Sequence, residues 1–159
     1  MRVSARYKEL LSRAEKARST AGSTEELMQS ISDLLHGEIA RFNWVGFYMV
    51  SKTEPDVLVL GPFTGSFTPL DRIPLHQGLC GTAASTGKSV VVNDVSSDPR
   101  YLSGSGLVKS EMVAPVLVKG KVVAEIDVNS YFSATFGRDE QDLVEACAAA
   151  VAKRMDQPA

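Results

Sequence analysis

Residues Ser110–Ser130, SEMVAPVLVKGKVVAEIDVNS, decide the fold. Two apolar, β-branched runs, Ser110–Val118 and Lys121–Val128, flank the dipeptide Lys119-Gly120. Runs of this kind, separated by two residues ending in glycine, read as an antiparallel hairpin. Acidic residues interrupt both runs: Glu111 in the first, Glu125 and Asp127 in the second. Side chains alternate along a strand, so Glu125, Asp127 and Asn129 share one face. A carboxylate facing a core is unfavourable unless it is paired or binds something. That face is therefore either a site or the solvated side of the sheet.

Outward from the hairpin, helices and strands interleave. Toward the N-terminus, Ser96–Gly106 (SSDPRYLSGSG) is loop by composition, and its stretch Ser103-Gly104-Ser105-Gly106 suits a mobile lid better than a phosphate cradle. Ser89–Asn93 is a short strand. Gln77–Thr86 (QGLCGTAAST) opens with a glycine turn and becomes a small-residue helix that Gly87 stops. Leu70–Pro74 reads as an edge segment, because Pro74 cannot donate to a ladder. Val57–Phe63 and Asn43–Val50 form a second hairpin across Ser51–Asp56. Val3–Ala21 carries Tyr7, Leu10, Leu11 and Ala14 at helical spacing, and Leu27, Ile31, Leu34 and Leu35 stripe a second helix with Ser23 or Thr24 as N-cap. Asp139–Met155 is the last helix. The order predicts an α+β fold with a mostly antiparallel sheet and helices packed on it.

Composition narrows the functional classes. The 159 residues fit one domain of about 150. Seventeen Lys and Arg against nineteen Asp and Glu give a net charge of −2, without the basic excess of a nucleic-acid binder. The uncharged run Ile73–Gly87 is too short and polar to span a bilayer, and the N-terminus has no apolar signal core. A cytoplasmic location is expected, with no membrane partner. Two cysteines, Cys80 and Cys147, make neither a disulfide framework nor a thiolate metal site. His36 and His76 belong to no zinc motif, and no phosphate-binding glycine motif occurs, so no bound metal or cofactor is expected.

Two segments could carry chemistry. Cys80 lies in Gly78-Leu79-Cys80-Gly81, at the start of the predicted helix, where free backbone N–H groups favour a thiolate. It is either a reactive thiol or a small residue in a tight, inert packing position. Cys147 falls on the apolar side of its helix and reads as core. Trp44 and Tyr48, four residues apart, point to one side of their strand, as core packing or as the wall of a ligand pocket.

The ordered series Asn43-Trp44-Val45-Gly46-Phe47-Tyr48, Leu58-Val59-Leu60-Gly61-Pro62-Phe63, Arg72-Ile73-Pro74, Gly78-Leu79-Cys80-Gly81-Thr82-Ala83, Ser110-Glu111-Met112-Val113 and Ile126-Asp127-Val128-Asn129-Ser130 resembles the free methionine-(R)-sulfoxide reductases, which are stand-alone GAF domains. The resemblance covers about residues 41–155, with residues 1–38 as the N-terminal helices of a single domain. It implies a central antiparallel sheet, helices at the N- and C-termini packed on one face, a closed ligand pocket in front, and a homodimer. It implies reduction of free methionine-(R)-sulfoxide with thiols replenished by thioredoxin. Trp44 and Tyr48 would line the pocket, joined by Asn129 and Glu125 as substrate-binding residues. Glu111 and Asp127 would meet the ammonium group or the sulfoxide oxygen, and the backbone near Cys80 would meet the reacting end.

The chain departs from the family at three places. Leu70 stands where family members carry a cysteine before Arg-Ile-Pro, Tyr101–Lys109 lacks the usual nucleophilic cysteine, and Asn129 replaces a carboxylate. The implied catalytic set is then Cys80 as nucleophile with Glu111 or Asp127 as acid, and an external thiol, thioredoxin or a small molecule, to complete the cycle. The competing expectation is a non-catalytic module that binds a methionine-like amino acid.

Overall fold

The Lys119-Gly120 turn puts both residues at positive φ, 52° and 79°. That is a type I′ turn, whose twist matches the flanking strands. It joins β5 (Ser110–Val118) to β6 (Lys121–Ser130), antiparallel as expected. The computed structural model describes residues 3–67, 69–102 and 105–157. The elements before the hairpin are α1 (Lys8–Thr20), α2 (Thr24–Glu38), β1 (Trp44–Val50), β2 (Val57–Gly65), β3 (Arg72–Pro74), α3 (Gly78–Thr86) and β4 (Val90–Val92), and α4 (Arg138–Asp156) follows it. The strands form one six-stranded sheet in the order β3-β2-β1-β6-β5-β4, every neighbour antiparallel.

Alternation along the strands divides the sheet into two faces. Val45 and Phe47 of β1, Met112, Ala114 and Val116 of β5, and Ala124, Ile126 and Val128 of β6 point to one side. There they pack on Ala14 of α1, on Leu27, Met28, Ile31 and Leu35 of α2, and on Leu143, Val144, Cys147 and Val151 of α4. The terminal helices thus share one face, and Cys147 is core. The opposite face carries Trp44, Tyr48 and Val113, covered by Leu79, Cys80 and Ala83 of α3 and by Leu58 and Ile73. The helix α3 is the exception to one-sided packing.

Local chemistry sets the boundaries. Ser23 Oγ accepts the backbone N–H of Glu26 at 3.1 Å and caps α2. Gly87 ends α3 with φ 69°. In the β1–β2 pair the register shifts between Gly46 and Tyr48, so Gly61 and Pro62 bulge opposite Phe47. Pro62 has no N–H to lose at such a bulge. β3 with Pro74 lies at one edge of the sheet and β4 at the other. No helix of the described residues is long and apolar enough to cross a membrane.

Candidate functional site

The face under α3 encloses a cavity with about 410 Å3 of empty space, its open mouth included. Cys80, Glu111, Asp127 and Asn129 supply its polar wall, and Tyr48, Leu79, Ile73 and Leu102 much of its apolar one. Strand register explains how three strands converge here. Gly46 of β1 and Val113 of β5 lie opposite Asp127, while Asn129 stands between Trp44 and Glu111. Glu111, Asp127 and Asn129 therefore meet on one face of adjacent strands.

The segment Gly78-Leu79-Cys80-Gly81 brings the sulfur down onto that face. A Cβ at Gly81 would sit 2.9 Å from the backbone nitrogen of His76 and 3.1 Å from the carbonyl oxygen of Pro74. Glycine at this position lets α3 press against residues 74–76. The turn before it is tight, with His76 and Gly78 both at positive φ. Cys80 Sγ donates to Asp127 Oδ2 at 3.5 Å, and one ligand-type atom from each of Cys80, Glu111 and Asp127 lies within 4.8 Å of the others. Tyr48 Oη donates to the Leu70 carbonyl at 2.7 Å, which ties the lip to the sheet.

Electrostatics in this enclosed space favour protons over charge. Burial, then the neighbouring Asp127, Glu125 and Glu111, pushes the Cys80 thiol well above its ordinary value. The sequence expectation of a helix-start thiolate meets the stronger opposing effects of desolvation and like charge. Burial and the Asp127 charge push Glu111 well up, and the two share a hydrogen bond that favours the ionised form of Asp127. Burial raises Asp127 despite its bonds from Glu111, Cys80 and Asn129. The arrangement is a protonated Glu111 and a protonated Cys80, both donating to Asp127. Asn129 Nδ2 adds a bond to Asp127 Oδ1 at 3.2 Å.

Five of the seven residues singled out from sequence, Tyr48, Cys80, Glu111, Asp127 and Asn129, line the cavity. Trp44 lies one layer behind. Its ring crosses the glycine positions 46 and 65, where a Cβ would collide with the indole, and stacks on Phe63 and Phe67 at 5.3 and 5.8 Å. Phe67, not Trp44, faces the cavity. Glu125 is fully buried opposite Tyr48 and Pro115 and is not a lining residue; the polar group its carboxyl meets is the Cys80 thiol. Burial pushes Glu125 well up, and the Cys80 thiol moderates the shift. Sequence reasoning missed the apolar lip of Phe67, Pro69 and Leu102, because isolated apolar loop residues carry no periodic signal. The lid expected at Ser103-Gly104-Ser105-Gly106 falls on Ser103 and Gly104, which lie outside the described residues.

Residues 23–155 match the GAF domain family. The free methionine-R-sulfoxide reductase of Escherichia coli strain K12 is 36% identical over 129 residues, covering 77% of this chain and 74% of that protein. Among solved structures, the free methionine-R-sulfoxide reductase from Neisseria meningitidis in complex with its substrate matches with a TM-score of 0.88 and 31% identity, over 97% of this chain and 93% of that one. The type II free methionine-R-sulfoxide reductase from Thermoplasma acidophilum matches with a TM-score of 0.75 and 31% identity, over 89% and 93% of the two chains.

Proposed function

This chain belongs to the GAF domain family, and from that premise we propose that it reduces free L-methionine-(R)-sulfoxide to methionine with Cys80 as nucleophile. The observation that carries the reading is the position of Cys80, which lines a small enclosed cavity beside Glu111 and Asp127. Asp127, ionised, receives the proton of Cys80 along their hydrogen bond. The thiolate so formed attacks the sulfoxide sulfur while Glu111, held protonated, delivers a proton to the oxygen. Collapse of the adduct leaves methionine and Cys80 as a sulfenic acid: the substrate sulfur gains two electrons and the cysteine sulfur loses two. The proton on Asp127 returns to Glu111 through the bond they share. The carboxylate of Asp127 favours a ligand bearing an ammonium group, and Tyr48 with the apolar lip accommodates its thioether arm.

Regeneration falls to an external thiol. Cys147 is fully buried on the opposite side of the sheet, and the sequence holds no further cysteine. One thiol, from thioredoxin or a small molecule, condenses with the sulfenic acid to a disulfide and water, and a second releases Cys80. A homodimer formed through the helices belongs to the same reading, and light scattering checks it.

A second reading, ligand binding without turnover, draws on the burial that keeps Cys80 a thiol. One experiment separates the two. Wild type, Cys80→Ser and Cys147→Ser are incubated with L-methionine-(R)-sulfoxide and dithiothreitol, and free methionine is measured. Turnover by wild type and Cys147→Ser, lost in Cys80→Ser, supports the enzyme. Stabilisation of wild type by methionine with no turnover assigns the binding role instead.

A further inference from the structure

Once oxidised, the sulfur of Cys80 has no route out through the protein. The residue is 4% exposed, and its Sγ faces Asp127 on the sheet at 3.5 Å. The helix that carries it is pressed against residues 74–76 at Gly81, and Leu102 packs over its first turn so closely that a Cβ at Gly78 would lie 2.9 Å from Leu102 Cδ1. Both contacts hold the sulfur inward. Cys147, the other cysteine of the chain, is fully buried behind the sheet and cannot take over the oxidation. The sulfur of the reductant has to come to Cys80.

Resting on the reductase reading above, we infer that this reductant is a low-molecular-weight monothiol that enters the cavity, and that dithiol proteins of the thioredoxin class are kept out by shape. Across a disulfide the Cα atoms of two cysteines lie about 5.5–6 Å apart. A protein thiol joined to Cys80 would therefore bring its own main chain, with neighbours on both sides, between α3 and the sheet. The space there is about 410 Å3, open mouth included. One turn of helix with its side chains, about 10 Å across and 5.4 Å long, occupies roughly 420 Å3 by itself. A small monothiol has no chain behind it and meets no such limit.

Regeneration then runs in two balanced steps. The first monothiol attacks the sulfenic sulfur: an S–S bond forms, the S–O bond breaks, and the hydroxyl leaves as water with the proton of the thiol. The second attacks the outer sulfur of the mixed disulfide. Cys80 leaves with the bonding pair and takes the second proton, and a symmetrical disulfide departs. The two small thiols together lose two electrons, and Cys80 regains the two it gave to the substrate. Substrate and reductant use the same entrance in turn.

The test uses full-length Lys52→Cys protein, which carries the enclosed thiol of Cys80 and an exposed thiol at position 52 in one molecule. Methyl methanethiosulfonate places an S–S–CH3 group on both. Loss of the label from each site is then followed by peptide mass, with 2-mercaptoethanol in one arm and with thioredoxin, its reductase and NADPH in the other. The expected result is that 2-mercaptoethanol clears the two sites within about tenfold of each other, whereas thioredoxin clears position 52 at least about a hundredfold faster than Cys80. A preference of thioredoxin for position 52 no larger than that of 2-mercaptoethanol overturns the proposal. So does native protein whose Cys80 takes no label, because the entrance would then be closed to small thiol reagents as well. No sulfoxide enters the experiment, so its failure and a failure of the reductase reading are separate results.

Discussion

Replacing Glu125 with glutamine keeps the shape of the side chain and removes its titration. Burial lifts the folded-state pKa of this carboxyl well above the ordinary 4.5. Above pH 4.5 the unfolded chain releases the proton while the folded chain keeps it, so the folded state binds more protons and stability falls as pH rises. The loss is about 1.4 kcal/mol for each pH unit until the folded pKa is reached. Glutamine has no such loss. The variant should match wild type near pH 4.5 and gain on it as pH rises, for as long as Glu125 stays protonated in the folded protein. For a chain of this length each kcal/mol of that gain corresponds to a melting point higher by roughly 2–4 °C. Urea unfolding at pH 5, 6 and 7, with a chelator present, measures the difference, and the lone tryptophan, Trp44, is buried and reports it. Glu111 and Asp127 titrate in both proteins and largely cancel. A gap between the two proteins that is constant or narrows with pH would refute the reasoning.

Other substitutions probe the elements that shape the cavity. Gly81→Ala gains about 1 kcal/mol of helix propensity but forces a methyl against the backbone of residues 74–76; overpacking of about 1–3 kcal/mol should win, and a raised melting point would show that α3 shifts freely. Tyr48→Phe leaves the Leu70 carbonyl without its donor, so stability should fall by about 1 kcal/mol and Cys80 should react faster with an exogenous thiol reagent while Cys147 does not. Asn93 accepts from the Phe136 N–H at 3.0 Å and donates to the Phe136 carbonyl at 3.1 Å, fastening the exit of β4 to the approach to α4. Asn93→Ala should cost about 2 kcal/mol by urea unfolding, two hydrogen bonds at about 1 kcal/mol each.

Periodicity made the strands and helices legible, and hairpin chemistry at Lys119-Gly120 made their pairing so. The two-residue turn and the inward carboxylates lie within one stretch of chain, so local rules suffice for them. Ser23 was readable as a cap for the same reason. Other features depend on residues distant in sequence. The glycines at 46 and 65 take their meaning from the Trp44 ring that crosses both, which puts Phe67 rather than Trp44 against the cavity. The face of Glu125 was readable from alternation, but its place behind Cys80 required the docking of α3. The thiol of Cys80 shows the limit of a local rule: the start of a helix favours its ionisation, and the carboxyls brought in by β5 and β6 reverse the preference.

The sheet stands between the two sulfurs, Cys80 in front and Cys147 behind. This gives the protein a pair of internal reporters on separate compartments. Cys80 becomes reachable when the lip breathes, whereas Cys147 answers only when α4 leaves the sheet, an event close to global unfolding. The ratio of their labelling rates therefore measures how much more readily the cavity opens than the scaffold behind it comes apart.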